Sequence, residues 1–139
     1  MDSPIDIKTN HVEQEDQHCA YAIQLLTSAS LPFVLNATIE LQVFEIIAKS
    51  GPNAQISAAE IASQMPTKNP EAASMLDRML RLLACYSVVT CSVSEKDGED
   101  DERLYGLAPT GKFFVKNEDG ASMGPLCALL QDKVFIQSW

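Results

Sequence analysis

The sequence predicts a mainly α-helical fold of the winged-helix type, a helix-turn-helix followed by a two-stranded wing, with extra helices at both ends. Three observations predict it. Apolar residues recur at helical spacing along most of the chain, two short runs of strand character flank an acidic turn, and the order is helix, helix, helix, hairpin. A length of 139 residues, 46% hydrophobic and 21% charged, is that of one globular domain rather than a disordered chain. The expected organisation is a mobile tail over 1–14, a winged-helix body over 15–122, and a helical segment over 123–139.

Residues 1–14 are polar and carry no period. From Glu15 to Ser28 the spacing of Cys19, Ala22, Ile23 and Leu26 is helical. Pro32 suits a first helical turn, and a second helix is expected from there to Lys49, stopped by Gly51-Pro52. Wound as one helix, this segment shows two apolar stripes. One holds Phe33, Val34, Ala37, Leu41, Phe44 and Ala48, the other Leu35, Ile39, Val43, Ile46 and Ile47. A surface helix needs only one such stripe, so two imply a helix packed on both sides, inside its own domain or against a second chain.

Ser57-Ala-Ala-Glu60 is a capping box that opens a short helix through Gln64. Asn69-Pro70 starts the next, whose stripe is Ala72, Met75, Leu76, Met79, Leu80 and Leu83. On the same helix Asp77 and Arg81 form an i,i+4 pair. Ser87–Val93 and Arg103–Leu107 read as strands around the acidic turn Glu95–Glu102. A short helix over Thr110–Val115, a turn at Asn117–Gly120 and a final helical stretch from Met123 complete the chain.

Charge excludes several functions. Ten basic against nineteen acidic side chains give a formal charge of −9, which disfavours nucleic acid and anionic membrane as partners. A DNA-binding winged helix would carry the acidic run Asp97, Glu99, Asp100, Asp101, Glu102 on its wing, where phosphate must approach. The N-terminus has no signal-peptide pattern, and no apolar run is expected to reach the roughly 18 residues of a membrane span. Four dispersed cysteines, with no CxxC pair, fit a reduced, cytoplasmic chain.

Catalytic equipment is not visible. Gly106-Leu-Ala-Pro-Thr-Gly111-Lys112 fits the phosphate-loop spacing, but Phe113 stands where Ser or Thr must hold magnesium, and Pro109 removes an N–H. It reads as a strand ending in a turn before a helix. His11, His18 and Cys19 lack a second ligand pair, and the acidic turn lacks the alternation of a calcium loop, so no metal site is expected.

The stretch FEIIAKSGPNAQISAAEIASQMPTKNPEAASMLDRMLRLLACYSVVTCSV, then RLYGLAPTGKFFVKNEDG and the terminal QDKVFIQSW, resembles the N-terminal dimerisation domain of plant caffeic-acid-type O-methyltransferases. The resemblance runs from about residue 20 to residue 139. It implies a parent enzyme that methylates small phenolic hydroxyls with S-adenosylmethionine, as a homodimer with interlocked N-terminal domains. It also implies that the cofactor motif and catalytic base belong to a C-terminal domain, so that this chain alone binds no cofactor and catalyses nothing. The pattern stops at Trp139 within a helix, as in a fragment or a truncated reading frame.

By the same resemblance Leu129, Leu130, Gln131 and Phe135 line the acceptor pocket, and Leu129-Leu130 replaces the family's usual Met-Asn. Losing that Asn opens the acceptor to flavonoid, alkaloid or cyclitol hydroxyls as well as phenylpropanoid acids. Ser28, or Thr27 beside it, matches a small residue donated into the neighbour's pocket. The expected dimer contacts are Leu35, Ile39, Val43, Ile46 and Ile47. A truncated regulatory partner that pairs with full-length enzyme is the alternative reading.

Overall fold

The computed structural model describes residues 4–95, 98 and 100–138. The chain divides into two compact units, Met1–Leu31 and Pro32–Trp139, with the boundary inside the 15–122 segment that the sequence reading held as one body.

The first unit holds helix α1 (Pro4–Thr27) and a 3-10 turn at Ser28–Ser30. The helix begins well before Glu15, within the stretch expected as a tail. Its 24 residues exceed the ~12–15 at which an isolated helix becomes marginally stable, and Glu13, Gln14, Glu15 and Gln17 all favour helix. Apolar period reports burial rather than helicity. From His11 onward α1 is exposed on nearly every side, so its polar half had no period to display.

The expected helix over 32–49 is two helices, α2 (Leu31–Glu40) and α3 (Val43–Lys49). Gln42 breaks them in the left-handed region, at φ 58°. Its N–H bonds the Ile39 carbonyl, and its own carbonyl accepts the Ile46 N–H to start α3. The break turns α3 relative to the register of α2. Val43 and Phe44, which a continuous helix assigns to opposite stripes, are both fully buried, together with Ile47. The two apolar stripes of the sequence thus follow from winding one helix through a point where the chain turns.

Next come β1 (Ile56–Ser57), α4 (Ala58–Ser63), α5 (Ala72–Cys85), β2 (Val89–Ser94) and β3 (Glu102–Leu107). Then follow a 3-10 turn at Gly111–Phe114, α6 (Gly124–Leu130) and α7 (Lys133–Gln137). The mainly helical class and the antiparallel hairpin agree with expectation, and β1 adds a strand that two residues could not announce. The sheet order is β1-β3-β2, with Ile56 opposite Tyr105 and Val89 opposite Leu107. Asp97 and Glu99 of the acidic turn lie outside the described residues.

Local chemistry explains the element ends. The Ser57 hydroxyl accepts the Glu60 N–H at 3.2 Å, the first half of the expected capping box, while Ser57 itself pairs with Leu104 in the sheet. Asn69 Oδ1 accepts the Glu71 N–H at 2.9 Å ahead of α5. Asp132 Oδ1 accepts the Val134 N–H at 2.8 Å, which starts α7 and splits the helical stretch expected from Met123.

The core of the second unit lies between α3, α4, α5 and the sheet. Val43, Phe44, Ile47, Ile61, Leu76, Leu80, Leu83 and Tyr105 fill it, and the Phe44 and Phe114 rings stack at 5.8 Å. The buried stripe of α5 is narrower than its sequence stripe, since Met75 remains exposed. Gly124 lets α6 approach α2. A methyl group in its place would sit 3.1 Å from Ile39 Cγ2 and 3.2 Å from Ser122 Oγ.

Candidate functional site

Two sets of apolar side chains find no cover in the chain. On α1, Val12, Tyr21, Ile23, Leu25 and Leu26 are exposed, Leu26 by 81%. On α2, Phe33 is exposed by 63%, and Leu41 just beyond it is also open. Burying a large apolar side chain is worth roughly 1.5–3 kcal/mol, so faces of this size favour association. The helical stretch His11–Glu40 is also long and apolar enough, by length and composition, to cross a membrane. This corrects the expectation that no apolar run reaches the length of a membrane span, which the polar residues Gln24, Thr27, Ser28 and Ser30 had obscured. A helix that buries an apolar face against another protein meets the same requirement.

The structure divides the expected dimer contacts. Val43 and Ile47 are 0% and 1% exposed within their own unit and have no area to offer a second chain. Leu35, Ile39 and Ile46 are half-buried. The correction follows from the Gln42 break, which directs α3 inward.

The expected acceptor-lining residues also separate. Leu129 and Leu130 are exposed at the end of α6, 54% and 50%, with Val134 and Ile136 of α7 exposed beyond them. Gln131 is half-buried, and its side-chain amide donates to the Pro32 carbonyl, which ties the end of α6 to the start of α2. It also meets Cys127 Sγ at 3.5 Å, and burial pushes the Cys127 thiol above its ordinary range. The Phe135 side chain and Trp139 lie outside the described residues. Ser28 belongs to the first unit. Its hydroxyl donates to the Leu25 carbonyl at 2.6 Å, while the Thr27 hydroxyl donates to the Ile23 and Gln24 carbonyls.

One cluster escaped the sequence reading. Asp77 pairs with Arg81 at 3.6 Å, as its spacing predicts, but its main partners come from β3. Arg103 Nη2 donates to Asp77 Oδ2 at 2.8 Å and Arg103 Nε to Oδ1 at 3.1 Å, while the Tyr105 hydroxyl donates to Oδ1 at 2.6 Å. The Arg103 bonds, reinforced by that of Tyr105, hold the Asp77 carboxyl below its ordinary value. Burial, followed by the neighbouring carboxylate, pushes the Tyr105 phenol far up. A carboxylate so held and a phenol so raised are poor proton carriers at neutral pH. The cluster clamps α5 to the sheet. Its only sequence signal was the i,i+2 placement of Arg103 and Tyr105 on one face of a strand.

The phosphate-loop spacing has a structural cause. A side chain at Gly106 would meet Thr90 Oγ1 at 2.8 Å and the Ala54 carbonyl at 2.9 Å, and one at Gly111 would collide with the Val88 carbonyl. Both glycines are close approaches of backbone within the fold. Among the described residues, no three His, Cys, Asp or Glu side chains gather as metal ligands.

Comparison with known proteins agrees with this architecture. Residues 23–117 match the O-methyltransferase dimerisation domain, and the chain belongs to that family. Among its relatives are catechol O-methyltransferase 1 of Solanum lycopersicum, 61% identical over 91% of this chain, and caffeic acid 3-O-methyltransferase of Clarkia breweri, 58% identical over 93%. Caffeic acid 3-O-methyltransferase 1 of Populus tremuloides is 54% identical over 92% of the chain. The chain spans about a third of these relatives' length, 34–35%. The same fold occurs in human N-acetylserotonin methyltransferase, solved in complex with SAM. The TM-score is 0.58 at 16% identity, over 84% of this chain and 31% of that one.

Proposed function

We propose that this chain is the self-association domain of a plant O-methyltransferase and forms a homodimer, or a heterodimer with a longer copy, through the apolar faces of α1 and α2. The observation that carries the reading is the exposed apolar set Tyr21, Ile23, Leu25, Leu26 and Phe33 in a dimerisation-family domain. Within the second unit, the half-buried Leu35 and Ile39 stand on α2 with Phe33. In the whole enzyme Leu129 and Leu130, with Gln131 and Phe135, form one wall of a pocket for a small phenolic hydroxyl, and Ser28 enters from the partner. Methyl transfer from S-adenosylmethionine is assigned to the part of the relatives that this chain does not span. The names of the plant relatives, for caffeic acid and catechol, support a phenolic acceptor. Four free cysteines support a reducing, cytoplasmic setting.

Sedimentation equilibrium at tens of micromolar tests the pairing. The expected mass is that of a dimer, and L26D or F33D shifts the species to monomer while far-UV circular dichroism keeps its helical signal. A wild-type monomer at that concentration overturns the proposal.

A further inference from the structure

A cavity of about 390 Å³ opens between α3, the loop into β1, the end of β3 and the turn after Phe114. Pro52, Leu107 and Val115 supply apolar surface, and Lys112 and Lys116 are among the residues that line it. A second cavity of about 350 Å³ shares Lys112 and Val115 and continues to the exposed Phe113 and Met123. Lys112 therefore marks the junction of one groove. Among the described residues neither lysine is engaged in an ion pair, although acidic side chains outnumber basic ones nineteen to ten. The close approach of Gly111 to the Val88 carbonyl anchors the turn that carries Lys112.

We propose that this groove binds a small aromatic carboxylate. Two ammonium groups with no ion pair among the described residues select an anion, and the apolar floor, with Phe113 beside Lys112, selects a ring over a fully hydrated ion. Inorganic phosphate serves as the control for charge alone, since it carries no ring to meet the apolar floor. The volume lies in the ~300–1,000 Å³ range of small-molecule sites. The proposal stands apart from the pairing of α1 and α2, and uses residues of the second unit only.

The test is a titration of the full chain, with backbone amide shifts read by NMR, using 3-phenylpropionate, its methyl ester, inorganic phosphate and an acidic peptide. The carboxylate is expected to give saturable shifts at Ala48, Leu107, Lys112 and Val115. Its ester and phosphate should each bind at least about tenfold more weakly, and salt should weaken the carboxylate. The double variant K112Q/K116Q should lower carboxylate affinity to that of the ester while its spectrum stays dispersed. F113A, which keeps both charges, should weaken carboxylate and ester alike. Equal binding of acid and ester, phosphate binding as tight as the acid, shifts centred elsewhere, or displacement by the acidic peptide at lower concentration would each overturn the proposal.

Discussion

Asp77 draws together three side chains that the sequence places on two elements, and its energetics are testable. Tyr105 is fully buried and spends its hydroxyl on that carboxylate at 2.6 Å. Y105F should therefore cost about 1.5 kcal/mol, the net worth of a hydrogen bond to a charged group, measured by urea unfolding at fixed protein concentration. Acidification should show the same cluster. Because the Asp77 pKa is depressed in the folded chain, the unfolded state takes up its proton first. The stability this group contributes is present above the unfolded value, about 3.9, and is lost as pH falls through the lower folded value. Unfolding midpoints measured from pH 5 down to pH 2 should fall, and should fall less in D77N, which carries no titrating proton at this position.

The break between α2 and α3 is the element on which the site depends. Gln42 occupies the left-handed region at φ 58°, where a non-glycine side chain is strained by roughly 1–2 kcal/mol. Q42G should stabilise the chain by about 0.5 kcal/mol, since relief of that strain exceeds the extra backbone entropy of glycine. In a continuous helix the same change would cost about 1 kcal/mol, so the sign of a thermal-shift measurement distinguishes the two backbones. Thr38, the only fully buried residue of α2, donates its hydroxyl to the Val34 carbonyl at 2.7 Å, which lets a polar residue sit there at little expense. The apolar residues around it are only half covered, unlike Val43, Phe44 and Ile47 of α3.

For the molecule as a whole, the acidic balance and the two open apolar faces set its chemistry of association. The dimerisation-family match does not favour the DNA-binding alternative. Asn69, read from the sequence as the cap of α5, instead closes a turn two residues before the actual cap position, Glu71. The Ser57 cap, the α5 stripe and the hairpin were legible in advance. Each depends on residues within a few positions of one another. Leu129, Leu130 and Ser28 were named only through family likeness, since no local pattern marks a pocket wall. The Asp77–Arg103–Tyr105 clamp was invisible because its partners are 26 and 28 residues apart.

Sequence alone determined where most helices and strands lie and which family the chain resembles, because caps, turns and periodicity are written in short windows. Tertiary structure alone decided which apolar residues belong to the core and which remain free to meet another chain. That partition depends on the direction the backbone takes after Gln42 and on contacts made across the fold, and neither is encoded in the spacing of neighbouring residues.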